Sequence, residues 1–429
     1  MTKNVLIVTP LFLPSNVAGV HRSRIISRHL KKYGWHPHIL IVDHLQHPGN
    51  VDLNLEQLIP EDITIEKTQA FPLAISKLIG LNDPSIRGLP HMIKRASRLV
   101  RQKKIDLIYV TILPAYAAWV GRTIKRRFNV PFVLDYQDPW VYRKDRPKNI
   151  FSKSTIAHWL SVMLEKRVLK YTDALSAVSM GTLDSIKERN LLDDHKLLQV
   201  FPIGVDAEDI RVSVAKGHSH LKQDREVTKL LYMGTITKEM LPTLEVLLEA
   251  LVQINNEESE EYILSLIGTS ANIGGEDPLG LDAIISEKGA RDYVTHQPER
   301  VNYLDSLKTM SEADALFLIG TNEPHYTASK VFPYWLAGPP IVGVFHQQSE
   351  IVRLSEKIGG VRLITYHDHI KEKDRLVSET LKLYRQLTKE PGALVPTKSQ
   401  EEFGRYEADA LAKEHALFFD KVVKHASAQ

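Results

Sequence analysis

An apolar run, Val130-Pro131-Phe132-Val133-Leu134, ends abruptly in Asp135-Tyr136-Gln137-Asp138-Pro139-Trp140. A buried parallel strand reads this way when its carboxyl end opens into a cleft, and in open α/β sheets that end is where ligands sit. A carboxylate there can accept or orient the proton of a hydroxyl substrate, with Asp138 the first candidate and Asp135 the second. The same residues also fit a strand closed by a turn at Pro139, with both acids solvated or capping.

Three other stretches could bind anions. Asn16-Val17-Ala18-Gly19-Val20-His21-Arg22 joins a first strand to a first helix, where glycine permits close backbone approach and a helix N-terminus attracts negative charge. With Gly19 alone, where a nicotinamide-binding turn wants three glycines, a dehydrogenase is disfavoured. Tyr232-Met233-Gly234-Thr235-Ile236-Thr237-Lys238 ends another strand, leaving room for a diphosphate with Lys238 as a point charge; a mere turn reads the same way. In Thr327-Ala328-Ser329-Lys330-Val331-Phe332-Pro333, Thr327 or Ser329 is expected to cap a helix whose first turn tolerates Pro333, with Lys330 aimed at ligand or simply at solvent.

The elements that must hold these groups alternate. Strands are expected over residues 3–10, 35–42, 107–111, 132–134, 174–178 and 198–202, with helices over 21–33, 92–102, 115–128, 155–169 and 182–189 between them. Residues 206–226 lose the apolar rhythm and read as a linker. A second alternation follows: strands 229–233, 262–267, 294–296, 315–319, 340–344 and 361–364, with helices 242–254, 280–288, 300–312, 330–337 and 349–357. Residues 399–424 are helical in character throughout. Such a pattern predicts two α/β domains with parallel sheets, bounded at 1–205 and 229–398, joined by a linker over 206–228 and followed by a terminal helical stretch, 399–429.

Length and composition agree. A chain of 429 residues exceeds one ordinary core, and 43% hydrophobic with 25% charged residues is usual for a globular protein. No run approaches the roughly 18 apolar residues of a membrane helix, and residues 5–13 read as a core strand rather than a signal peptide. Absence of cysteine removes thiol chemistry and suits a cytoplasmic setting. Residues 1–200 carry 30 Lys+Arg against 17 Asp+Glu, while the remainder carries 25 against 35. Clusters at 94–104 and 122–127 fit either solvated helix faces or attraction to an anionic membrane surface. Nucleic acid is not expected, since no recognition helix or aromatic platform accompanies the charge.

The order of parts resembles the GT-B glycosyltransferases, specifically the family 4-like bacterial sugar-nucleotide transferases. Residues 130–140 resemble the signature P-x-V-x-D-x-x-D-P-W, residues 232–238 the donor loop, and Ser329-Lys330-Val331-Phe332 with Tyr334 and Gly338-Pro339-Pro340 the helix motif S-K-x-F-E-Y-L-A-x-G-x-P. The resemblance implies an α/β fold of two Rossmann-like domains facing across a cleft, with the C-terminal helix crossing back to the first. It implies transfer of a sugar from a nucleotide-diphosphate sugar to a hydroxyl acceptor, retaining and metal-independent, in cell-surface polysaccharide or glycolipid biosynthesis. No cofactor is expected beyond the donor substrate, which would be held by Gly234, Thr235, Lys238, Ser329, Lys330 and Tyr334. A saccharide or lipid-linked acceptor would meet Gly19, His21 and Arg22, and the protein would be cytoplasmic or peripheral on the inner membrane face.

One departure stands out. The family's glutamate pair falls on His325 and Pro333, neither a carboxylate: either another group such as Glu323 holds the ribose, or donor recognition differs, with His325 still among the expected donor-side residues. That difference keeps open a noncatalytic nucleotide-sugar-binding protein, and the shared fold keeps open a sugar-nucleotide 2-epimerase.

Overall fold

The computed structural model describes residues 2–17, 19–46, 51–78, 82–112, 114–141, 153–189, 195–221, 227–270, 275–321, 329–389 and 395–428. The chain forms two compact units, Met1–Gly204 with Tyr406–Gln429, and Val205–Arg405.

In the first unit, strands β1 (Lys3–Val8), β2 (Trp35–Val42), β3 (Thr64–Thr68), β4 (Leu107–Thr111), β5 (Phe132–Tyr136), β6 (Ala174–Ala177) and β7 (Leu197–Val200) form one sheet in the order β3-β2-β1-β4-β5-β6-β7. Every pairing is parallel. All five residues of both β4 and β5 are buried, as a sheet covered on both faces requires. On one face, Met92, Ala96 and Leu99 of the Leu89–Lys103 helix, Val120 and Ile124 of the Ala118–Phe128 helix, and Val168 and Leu169 of the Lys153–Leu169 helix pack on Leu6, Ile108 and Leu134. On the other, the Val20–His29 helix shares the cover of Val5, Leu107, Tyr109 and Val133 with the terminal helix Ala408–Ala428, through Leu411, Phe418, Phe419 and Val422. Each such large side chain contributes about 1.5–3 kcal/mol when fully buried. The terminal helix is therefore part of one face of this core.

The second unit's sheet runs β10-β9-β8-β11-β12-β13, again with every pairing parallel: β8 (Val227–Met233), β9 (Glu261–Ile267), β10 (Val294–Gln297), β11 (Ala315–Ile319), β12 (Ile341–His346) and β13 (Val361–Tyr366). Leu244, Leu247, Leu248 and Leu251 of the Leu241–Glu257 helix, with Leu376 and Leu383 of Lys373–Lys389, pack against Tyr232, Leu264 and Phe317.

Two sequence expectations need correction. The 206–228 stretch holds the helix Ala207–Lys216, capped by Asp206, whose carboxylate accepts the Glu208 N–H at 3.0 Å. It packs on the Tyr303–Ser311 helix, with the Tyr303 hydroxyl donating to Asp209 at 2.9 Å and the His218 N–H to Asp305 at 2.8 Å. Its inward residues include Asp209 and Ser213, polar and small, so no apolar period marks the packing. The terminal stretch is two helices rather than one: Gln400–Gly404 stays in the second unit, where Phe403 meets Trp335 edge-on, and Ala408–Ala428 belongs to the first.

Candidate functional site

Strand order reverses at β8 and β11 in the second unit: from β8 the chain moves outward to β9 and β10, from β11 to β12 and β13. Ligands of open α/β sheets collect at the carboxyl ends of strands beside such a reversal. Gly234 follows β8 there, and Lys330 reaches it from the segment after β11.

Lys330 Nζ lies 2.5 Å from the Tyr232 hydroxyl, donates to the Thr235 carbonyl at 3.0 Å, and stands 4.5 Å from the Tyr232 ring centre. The Tyr232 hydroxyl donates to the same carbonyl at 2.8 Å. Tyr334, fully buried, accepts the Met233 N–H at 2.9 Å and so ties the Val331–Ala337 helix to the end of β8. Gly234 has φ +126°, and a Cβ there would come within 2.3 Å of Lys330 Cε. The positive φ disfavours any residue with a Cβ, and a methyl there would have to push the flexible Lys330 side chain aside. Burial lowers the Lys330 pKa to about 7, and the nearby Arg300 guanidinium adds to the shift. An anion arriving at this ammonium would reverse the shift.

Arg300 escaped the sequence reading, which placed it at the start of a helix over 300–312. That helix spans Tyr303–Ser311, and Arg300 lies ahead of it, with Nη2 3.4 Å from Thr235 Oγ1 and Cα near Gly268. Two cations from distant parts of the sequence thus approach one loop. Lys238 is exposed at the head of a single turn, Lys238–Met240.

The expected cap is different. The Val331–Ala337 helix takes Lys330 as N-cap, without a side-chain capping bond, and Ser329 is exposed. The positive groups that meet at this loop are the side chains of Lys330 and Arg300. Thr327, Glu323 and His325 lie outside the described residues. Asp277, Asp282 and His296 bring three ligand-type atoms within 4.8 Å of one another, but Asp282 already bonds Arg291 and His296.

In the first unit the two acids diverge. Asp135 is 0% exposed; Ser176, its register partner on β6, donates to it at 2.8 Å, and Arg22 Nε lies 3.4 Å from Oδ2. Burial raises its pKa, with Arg22, Ser176 and Tyr109 offsetting part of the shift. Asp135 therefore sits inside the core, not at an opening. Arg22, also buried, donates to the Phe201 carbonyl at 2.8 Å. His415 of the terminal helix completes the cluster: Nδ1 donates to the Leu411 carbonyl at 2.7 Å, Nε2 lies 3.5 Å from the Tyr109 hydroxyl, and the ring stacks on Phe201 at 3.6 Å. Burial, then Arg22, lowers its pKa to about 3. Asp138, beyond the end of β5, is exposed. Gly19, buried, precedes the Val20–His29 helix at φ −65°, and His21 lies 3.2 Å from Arg24, with burial and that charge lowering its pKa to about 3.

Residues 22–202 match the glycosyl transferase 4-like domain family. No curated protein matches the chain in sequence. Among solved structures, sucrose-phosphate synthase from Thermosynechococcus elongatus is similar over 98% of this chain and 99% of its own, at 14% identity and TM-score 0.59. A glycosyltransferase from Rickettsia africae covers 99% of each chain at 12% identity and TM-score 0.58. HepE from Anabaena, solved with UDP and glucose, covers 99% and 98% at 14% identity and TM-score 0.51. At these identities the likeness speaks for the fold, and the domain match speaks for the family. Residues 22–202 thus form a glycosyl transferase 4-like domain, and the chain as a whole shares its fold with these solved proteins.

Proposed function

We propose that the protein is a glycosyltransferase, moving a sugar from a nucleoside-diphosphate sugar, held by the second unit, to a hydroxyl acceptor held by the first. The observation that carries the donor assignment is the meeting of Lys330 and Arg300 at the Gly234–Thr235 loop, beside the β8/β11 reversal. As the anomeric carbon loses its leaving group, negative charge gathers on the diphosphate. Lys330 and Arg300 stabilise that charge without reorganising, which is how fixed cations lower such barriers. At an effective dielectric near 20, each unit charge 4 Å away is worth about 4 kcal/mol before desolvation. This set needs no metal, and family resemblance favours retention of anomeric configuration.

Asp138, exposed past β5, is the acceptor-side carboxylate of this reading. Asp135 serves as an anchor for Arg22 rather than as a base. Thr235, Lys238 and Ser329 remain assigned to the donor, and Gly19 and His21 to the acceptor. The basic first unit suits an acidic or lipid-linked saccharide and an anionic membrane surface. Among the described residues no helix is long and apolar enough to cross a membrane. A cytoplasmic enzyme of polysaccharide or glycolipid synthesis fits these properties.

UDP is the nucleotide to test first, because HepE was solved with it. Thermal shifts with UDP, GDP and their sugars should show one stabilising pair, since ligand binding to the native state raises its apparent stability. Loss of that shift in Lys330→Ala is expected; an unchanged shift would remove Lys330 from the donor site. Nucleotide release that requires an added acceptor separates transfer from 2-epimerisation, which would convert the free donor.

A further inference from the structure

The Lys153–Leu169 helix carries an outward stripe that the sheet does not use. Its inward side is fixed by Glu165, Val168 and Leu169, all buried; Glu165 accepts from the Tyr136 hydroxyl at 3.1 Å and from Arg189 at 2.6 Å. At 3.6 residues per turn, Trp159, Leu160, Met163, Lys166 and Arg167 fall on the opposite side, and Lys170 extends the same line beyond the helix. Trp159 is 62% exposed, Leu160 44% and Met163 40%, while Lys166, Arg167 and Lys170 are exposed too. One helix thus shows solvent a large aromatic and two aliphatic side chains at its start and three cations towards its end. A helix covering a sheet in water gains nothing from that exposure.

The surroundings extend the positive end. Arg122 and Arg126 of the neighbouring Ala118–Phe128 helix stack on Tyr171, at 4.9 and 5.7 Å from its ring centre. Lys170 also borders a cavity of about 400 Å³ together with Lys125 and Lys196. This helix lies on the same face of the sheet as the basic Leu89–Lys103 helix.

We infer that this stripe is a docking surface for an anionic lipid bilayer, with Trp159, Leu160 and Met163 entering the headgroup boundary and Lys166, Arg167 and Lys170 meeting lipid phosphates. An apolar set flanked by lysine and arginine is the pattern of a helix lying in the interfacial plane, and charge complementarity selects anionic over zwitterionic lipid. Tryptophan at the apolar end suits the headgroup level, where an amphipathic ring is stable. The surface rests on the membrane partner proposed above, and is independent of sugar transfer.

The test is sedimentation with vesicles of phosphatidylglycerol and phosphatidylethanolamine in equal parts, against phosphatidylcholine vesicles. The full chain should bind the first and not the second. Trp159→Ser with Met163→Ser, and separately Lys166→Glu, Arg167→Glu and Lys170→Glu together, should each weaken binding about tenfold or more. Lys94→Glu with Arg98→Glu on the Leu89–Lys103 helix should weaken it by much less. Unchanged melting temperatures and nucleotide-induced shifts show that the variants are folded. Failure of the unaltered chain to bind either vesicle defeats the membrane reading itself. Binding that survives both sets of changes in the Lys153–Leu169 helix, or that is lost only in the Lys94/Arg98 variant, overturns the surface assigned here.

Discussion

Gly234 leaves the space that Lys330 fills: a Cβ on the glycine would stand 2.3 Å from the lysine ε-carbon, so a side chain at residue 234 would move the cation from its place beside the loop. The pair links a backbone conformation to the placement of a charge. Either partner can be changed alone.

Gly234→Ala should therefore act twice. The φ of +126° disfavours any L side chain, at a cost of about 1–3 kcal/mol, and the methyl displaces Lys330. A lower melting temperature is expected, with nucleotide affinity down at least tenfold by calorimetry. A variant with unaltered affinity would mean that Lys330 need not stay where it is.

Lys330 should make nucleotide binding pH-dependent. In the free protein its pKa is about 7, and a bound diphosphate stabilises the ammonium. Below pH 7 the proton is already present; above it, binding must take one up. Affinity should fall as pH rises from about 7 to 9, by up to about tenfold per unit. Lys330→Arg should be flat over this range, since guanidinium keeps its proton. Calorimetry in buffers of different ionisation enthalpy measures the uptake directly.

Arg300 shares the loop and depresses the Lys330 pKa. Arg300→Ala removes a cation from the site while easing repulsion on Lys330. Nucleotide affinity at pH 7 should drop about tenfold, a loss of about 1.4 kcal/mol, and the pH break should move upward. A weaker complex with no movement of the break would separate the two effects.

The acids should part in their responses. Asp138→Asn should leave nucleotide-induced stabilisation intact and lower transfer by about 10²–10⁴-fold, the usual range for a positioned acid or base. Asp135→Asn leaves Arg22 buried without its counter-charge and should cost about 3–5 kcal/mol of stability by denaturant titration.

His415 ties the terminal helix to acid stability. Its folded pKa of about 3 lies below the ordinary 6.5, so between those values the unfolded chain binds more protons and stability falls as pH falls. One such group contributes a slope of up to about 1.4 kcal/mol per pH unit. His415→Phe, keeping the stack on Phe201, should flatten the melting curve between pH 6.5 and 4 relative to the unaltered chain.

The alternation of strands and helices was legible because each buried strand is a continuous apolar run, as in Leu107–Thr111 and Ala315–Ile319. Lys330 was legible from its place ahead of the Pro333 helix. Its neighbour Arg300 was not, since an arginine beside a helical segment carries no mark of the loop it will reach. Asp135 looked like a ligand-facing acid because the partners that permit its burial are far away in the sequence: Ser176 meets it through sheet register and Arg22 reaches it from the Val20–His29 helix. Likewise Asp209 and Ser213 gave the Ala207–Lys216 helix the composition of a linker, although both are buried and Asp209 accepts an inward hydrogen bond from Tyr303.

Because Leu411, Phe418 and Phe419 cover Val5, Leu107 and Val133, a core begun early in the sequence is completed only by residues that follow the whole second unit. At about 5–20 residues per second, a nascent first unit waits tens of seconds on the ribosome with part of one side of its sheet bare. A premature stop shortly before residue 408 would spare the second unit's residues, yet release a protein prone to aggregate through that uncovered side.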